Sequence, residues 1–103
     1  MIISTKILMK EKISADLALR DSARDFFEFV ESLPSEEVVF DFKDVKSISR
    51  SFAHEFVDRK RISQKKVREV NVPQNVRKMF AVVEEPREKQ HIFNTRMIKT
   101  VSL

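Results

Sequence analysis

The sequence predicts a single α/β domain, a mixed sheet of four or five strands carrying three principal helices. Three observations predict it. Residues 38–42, VVFDF, form a short run without a clean polar face, the pattern of an interior strand covered on both sides. Apolar residues at helical spacing precede and follow this run, so strand and helix alternate from Asp21 onward. Length is the third: 103 residues suffice for one core but not two, so residues 1–103 are expected to be one domain without a linker.

Residues 2–9, IISTKILM, are rich in β-branched and aliphatic groups and predict the first strand. Residues 10–14 are charged and read as a connector. In residues 15–20, ADLALR, the periodicity fits either a short second strand or the approach to a helix. Ala23, Phe26, Phe27, Val30 and Leu33 then fall on one helical face. Asp21 or Ser22 can cap this helix, with Asp25 completing a capping-box variant, and Pro34 stops it. Phe26 and Phe27 are read as core, because aromatics sharing one helix face usually pack against a sheet.

The central strand follows residues 34–37, and Val45 and Ile48 bracket a polar crossing beyond it. Ser49, Arg50 and Ser51 open a helix with Phe52, Ala53, Phe56 and Val57 inward and Glu55, Asp58, Arg59 and Lys60 on the wet side. Residues 66–72, KVREVNV, alternate as a strand does. Pro73 suits a first helical turn, and Val76, Met79, Phe80 and Val83 carry the third helix up to Pro86. Residues 87–90 read as a charged connector, Ile92 and Phe93 as a short strand, and residues 97–103 as a terminal one.

Composition prunes function. A hydrophobic share of 42% with 35% charged residues excludes a disordered chain and predicts a charged surface over a compact interior. With no Gly, the usual Walker-A loop, dinucleotide fingerprint and G-x-S-x-G elbow are absent, and turns must rely on Asp, Asn, Lys and Pro. With no Cys there are no disulfides and no Cys-based zinc sites. The only two histidines, His54 and His91, are far apart and lack a second ligand at metal spacing, so neither metal nor cofactor is expected, and an enzyme is not the expected class. Neither a signal segment nor an apolar run of membrane length is present, which predicts a cytoplasmic protein. The Lys/Glu/Arg-rich, Cys-free composition also matches the tendency of thermophilic proteins.

The string at residues 38–56, VVFDFKDVKSISRSFAHEF, resembles the central strand-loop-helix signature of STAS domains, the fold of bacterial anti-sigma-factor antagonists. It is closer to the STAS-like domains, whose pattern D-F-x-x-V-x-x-I-x-x-S-F-A-x-E is matched by Asp41, Phe42, Val45, Ile48, Ser51, Phe52, Ala53 and Glu55. The resemblance implies helices packed chiefly on one sheet face. It also implies a noncatalytic regulatory module that docks a protein partner, of the ATPase or kinase signalling type, through the loop at residues 47–51 and the following helix. The partner-binding residues would be Ser47, Ser49, Arg50, Ser51 and Glu55, and association into a homodimer is compatible with this role. The antagonists typically read Asp-Ser-Ser-Gly at this loop, with the first serine phosphorylated. Here Ser49, Arg50, Ser51 and Phe52 stand in those places, so Arg50 occupies the phosphoacceptor position.

Ser49 and Ser51 are the candidate phosphorylation sites. Against that stands helix capping, in which a hydroxyl accepts an otherwise unpaired backbone N–H, and capping is the preferred reading for Ser51. An alternative function comes from residues 59–68, RKRISQKKVR, where Arg59, Lys60, Arg61, Lys65, Lys66 and Arg68 form a basic tract able to contact nucleic acid. The competing reading, solvation of a helix end and a strand entrance, is favoured, since the net charge is only +4 and no aromatics interleave the tract.

Overall fold

The computed structural model describes the backbone of residues 3–93 and the side chains of residues 3–84. In chain order the elements are β1 (Ser4–Leu8), α1 (Met9–Lys12), β2 (Asp16–Leu17), α2 (Arg20–Glu31), β3 (Glu37–Asp41), β4 (Ser47–Ile48), α3 (Arg50–Ile62), β5 (Lys66–Val70) and α4 (Gln74–Phe93). The α/β class and the three long helices agree with the expectation. The single mixed sheet does not. The five strands divide into a three-stranded sheet of order β1-β3-β5 and a separate pair β2-β4, and every pairing is parallel. Strands β2 and β4 are two residues each because Leu19 and Ser49 turn directly into helices, so they pair with one another rather than widening the main sheet.

Strand β3 is central, hydrogen-bonded to β1 on one side and β5 on the other. Its alternate residues Val38 and Phe40 are fully buried, and Phe42 continues the row. The ring of Phe40 meets Phe26 and Phe27 of α2 at 5.0 and 5.8 Å and Phe56 of α3 at 5.8 Å. Helices α2 and α3 therefore share one face of the sheet. Phe80 of α4 joins the same layer, stacked on Phe56 at 5.2 Å.

The expectation that β3 is covered on both sides is corrected by its other residues. Val39 is half-buried, and its register partners Lys6 and Arg68 have side chains that are each 61% exposed. The apolar run masks this asymmetry because Val39 is apolar while its register partners on both neighbouring strands are charged and exposed.

Local signals held in the interiors of α2, β3, α3 and β5 and shifted at their ends. Helix α2 begins at Arg20, one residue before the predicted caps; Leu19 stands at its N-cap with no side-chain bond, and Asp21 lies in the first turn, 3.3 Å from Arg24. Residues expected as a connector form the one-turn helix α1, anchored by the fully buried Met9. Helix α4 runs through Pro86 to Phe93, so the predicted connector at 87–90 and strand at Ile92 and Phe93 are helical instead. A helical proline loses its own N–H bond and displaces the carbonyl four residues earlier, here that of Val82. Val82 is 43% exposed, so water can satisfy that carbonyl, and Val76 and Val83, both buried, keep the helix docked. The predicted strand at 97–103 lies outside the described residues.

The turns use the residues that a glycine-free chain leaves available. Among the described residues, positive φ occurs at Asp44 (65°) and Asn71 (55°), the two residue types that tolerate the left-handed region best after glycine.

Phe56 touches the rings of Phe27, Phe40, Phe42, Phe52 and Phe80, so it joins both long helices and the sheet to α4. Phe56→Ala is expected to cost about 3–5 kcal/mol of folding stability in urea denaturation, the range for emptying a buried aromatic site. Phe29→Ala, at a partly buried ring that sits beneath the Lys12 ammonium, is expected to cost clearly less; equal losses would contradict the central role of Phe56.

Candidate functional site

The short β2-β4 pair brings together two loops that are far apart in sequence. Backbone bonds run from Lys46 N–H to the Ala15 carbonyl (2.7 Å) and from Ser49 N–H to the Leu17 carbonyl (2.8 Å). Side chains reinforce them. Ser47 Oγ donates to Asp16 Oδ1 at 2.7 Å, and Ser49 Oγ donates to the Ala18 carbonyl at 2.6 Å. Asn75 Nδ2 donates to the Lys46 carbonyl at 2.8 Å, tying α4 to the same crossing. Helices α2 and α3 consequently start side by side.

Ser49 also accepts the Phe52 N–H at 3.0 Å, which makes it the N-cap of α3. The preferred capping role of Ser51 is thereby corrected: Ser51 is the second helical residue, exposed to solvent, and the extended backbone a cap requires falls at Ser49. Arg50 is the first residue of α3, as Arg20 is of α2. Arg20, Arg50, Ser51 and His54 line one shallow cleft of about 230 Å³.

The predicted partner-binding residues thus separate into two groups. Ser47 and Ser49 spend their hydroxyls on Asp16 and the Ala18 carbonyl, while Arg50 and Ser51 line the cleft. Glu55 is half-buried and accepts from Arg59 Nε at 2.8 Å. Two cleft residues were absent from the sequence-based site. Arg20 lies thirty positions before Arg50, and no local pattern connects them. His54 follows Arg50 by four residues, so helical spacing places it on the same face; its Nδ1 lies 3.5 Å from Asp58 Oδ2.

Asp41, the carboxylate near the exit of the central strand, is 3% exposed. Its Oδ1 accepts from Lys43 N–H at 2.9 Å and Asn71 Nδ2 at 3.0 Å, and its Oδ2 lies 3.3 Å from Lys6 Nζ. The Asn71 amide, the Lys43 N–H and then the Lys6 ammonium hold its carboxyl below the ordinary carboxylate value, outweighing the opposing effect of burial. The arrangement pins the end of β3 and the left-handed Asn71 turn after β5.

The basic tract is largely committed to internal bonds. Arg59 pairs with Glu55 (2.8 Å), Lys60 with Glu69 (2.9 Å), Arg61 with Asp58 (3.7 Å) and Arg68 with Glu37 (4.0 Å). Lys65 Nζ donates to the carbonyls of Leu33 and Ser35, both at 2.6 Å. Lys66 is exposed on β5. A larger groove of about 380 Å³, between the later turns of α2 and α3, is lined in part by Phe27, Glu31, Arg59 and Ile62. Two of its charged groups bond within the fold, Glu31 with Ser63 and Arg59 with Glu55.

Among the described residues no group of three or more His, Cys, Asp or Glu is placed to hold a metal ion, and no helix is long and apolar enough to cross a membrane. The chain matches no protein-family model, no curated protein and no solved structure at significance.

Two outcomes check this assignment. Ser49→Ala removes both the cap and the bond to Ala18 and is expected to cost about 1–2 kcal/mol, whereas Ser51→Ala should stay within about 0.5 kcal/mol, read as unfolding free energies in urea. Because the folded-state value of Asp41 is depressed, the unfolded chain binds more protons in acid. Its stabilising contribution is therefore complete above about pH 4 and is lost as pH falls through the folded value. Asp41→Asn should flatten this acid limb in denaturation series from about pH 6 to about pH 2.5; parallel limbs in variant and wild type would refute the assignment.

Proposed function

We propose that this chain is a noncatalytic protein-interaction module, docking a protein partner through the loop at residues 47–51 and the exposed side of α3, as the STAS-like domains it resembles would. The observation that carries the reading is the stitched crossing of β2 and β4. It holds Arg50 and Ser51 outward in one cleft with Arg20 and His54 while their neighbours Ser47 and Ser49 fasten the loop to the β2 segment. A recognition surface fixed in this way loses little conformational freedom on association, which favours binding.

The partner class implied by the resemblance is an ATPase or kinase-type signalling protein. With Arg50 at the phosphoacceptor position and the Ser49 hydroxyl engaged twice, Ser51 is the more accessible of the two candidate phosphorylation sites. The nucleic-acid alternative has less support, since five of the six cations invoked for it are held by carboxylates or carbonyls of the fold.

Arg50→Glu is expected to reduce partner capture severalfold in an affinity pull-down from the source organism while leaving the melting temperature unchanged, since Arg50 is exposed and outside the core. Equal capture by variant and wild type would remove this surface from the reading.

A further inference from the structure

We infer that the cleft between the starts of α2 and α3 binds an acidic segment of the protein partner, with Arg20 and Arg50 forming a two-pronged clamp for its carboxylates. This rests on the interaction reading above and adds the chemistry of what is bound.

The first argument is charge. Arg24, Arg59, Arg61 and Arg68 each lie within 4.0 Å of a carboxylate of the fold. Arg20 and Arg50 have no ion pair among the described residues, yet line the same small cleft. Two neighbouring guanidiniums repel one another, and an anion lying between them offsets that repulsion. Among the described residues other cations, Arg77 included, also lack an ion pair, but Arg20 and Arg50 are two such arginines brought to one cleft.

The second argument is shape. A guanidinium presents a planar fork of donors that matches a carboxylate in bidentate fashion, and the exposed Ser51 hydroxyl adds a donor within the same cleft.

The surroundings decide between an acidic peptide and a nucleic acid. On α2 the side chains of Asp21 and Asp25 are 74% and 68% exposed, within five residues of Arg20. On α3 Asp58 stands beside His54, and Asp16 on β2 receives Ser47. A duplex carries one phosphate charge per roughly 1.7 Å of axis, so its backbone would run from the two arginines onto these carboxylates. A short acidic side-chain cluster can enter a cleft of about 230 Å³ without doing so. The side chains carry this inference; the helix starts contribute only partial charge of the same sign.

The test uses the full chain and a fluorescein-labelled hexaglutamate peptide in fluorescence anisotropy, with a phosphoserine peptide of equal length and a single-stranded oligonucleotide as parallel probes. Hexaglutamate is expected to bind in low salt. The double variant Arg20→Gln/Arg50→Gln should weaken binding by at least about tenfold, from loss of two charge-assisted contacts. Lys66→Gln/Arg68→Gln, which removes the same charge elsewhere, should leave it within about twofold. No binding at millimolar peptide, an equal loss in the control variant, or tighter binding of the phosphopeptide or oligonucleotide would overturn the inference. Should Arg50→Glu abolish partner capture while hexaglutamate neither binds nor competes, the acidic occupant is overturned and the docking surface stands. Should hexaglutamate bind through the two arginines while Arg50→Glu captures the partner normally, the acidic chemistry is supported and the docking reading fails.

Discussion

The contact between Phe40 and Phe56 is the interaction from which the rest of the structure hangs. Among the described residues Phe40 belongs to the only strand paired on both sides, and Phe56 to the helix that touches both α2 and α4. Their edge-to-face approach at 5.8 Å, extended by Phe26, Phe27, Phe42, Phe52 and Phe80, seats three helices against the sheet. Aromatic pairs in this geometry contribute beyond their buried area, and few other side chains cover so much apolar surface. A chain of 103 residues has little room for redundancy, which explains why seven of its nine phenylalanines converge on one cluster.

A rigid core places α2 and α3 side by side, but their first turns are positioned by polar bonds. Serine suits that task. Its short side chain donates to a carbonyl or carboxylate across the β2-β4 pair and, at Ser49, accepts an N–H from its own helix as well. Ser47 and Ser49 are tied to the β2 segment, Ile48 between them packs on the core, and Arg50 and Ser51 after them are left to solvent. Side chains bonded to the fold and side chains left to solvent are thus divided within five consecutive positions, and the long arginine at position 50 is one that faces out.

The opposite face of the sheet shows how a carboxylate expected at a working surface can serve stability. Asp41 stands at the exit of the central strand, where open α/β sheets often gather ligands. Here three donors from three segments of the chain already occupy its oxygens. One of these donors, Asn71, also supplies a left-handed turn in a protein without glycine. The carboxylate and the turn hold each other in place.

Much of this was legible in the sequence alone. The spacing of Phe26, Phe27 and Val30, and of Phe52, Phe56 and Val57, defined two helices and their buried faces, because helical periodicity is written within a dozen residues. The apolar run ending at Phe42 located the central strand for the same local reason, and the lack of glycine dictated Asp and Asn turns. Tertiary structure alone decided which serine caps α3, how the strands divide between sheets, and that Arg20 and Arg50 line one cleft. Those outcomes depend on groups about thirty positions apart, as in Ser47 with Asp16 and Ser49 with Ala18. No pattern within either segment encodes the other's position. Only the packing of α2 against α3 on one sheet face brings them together.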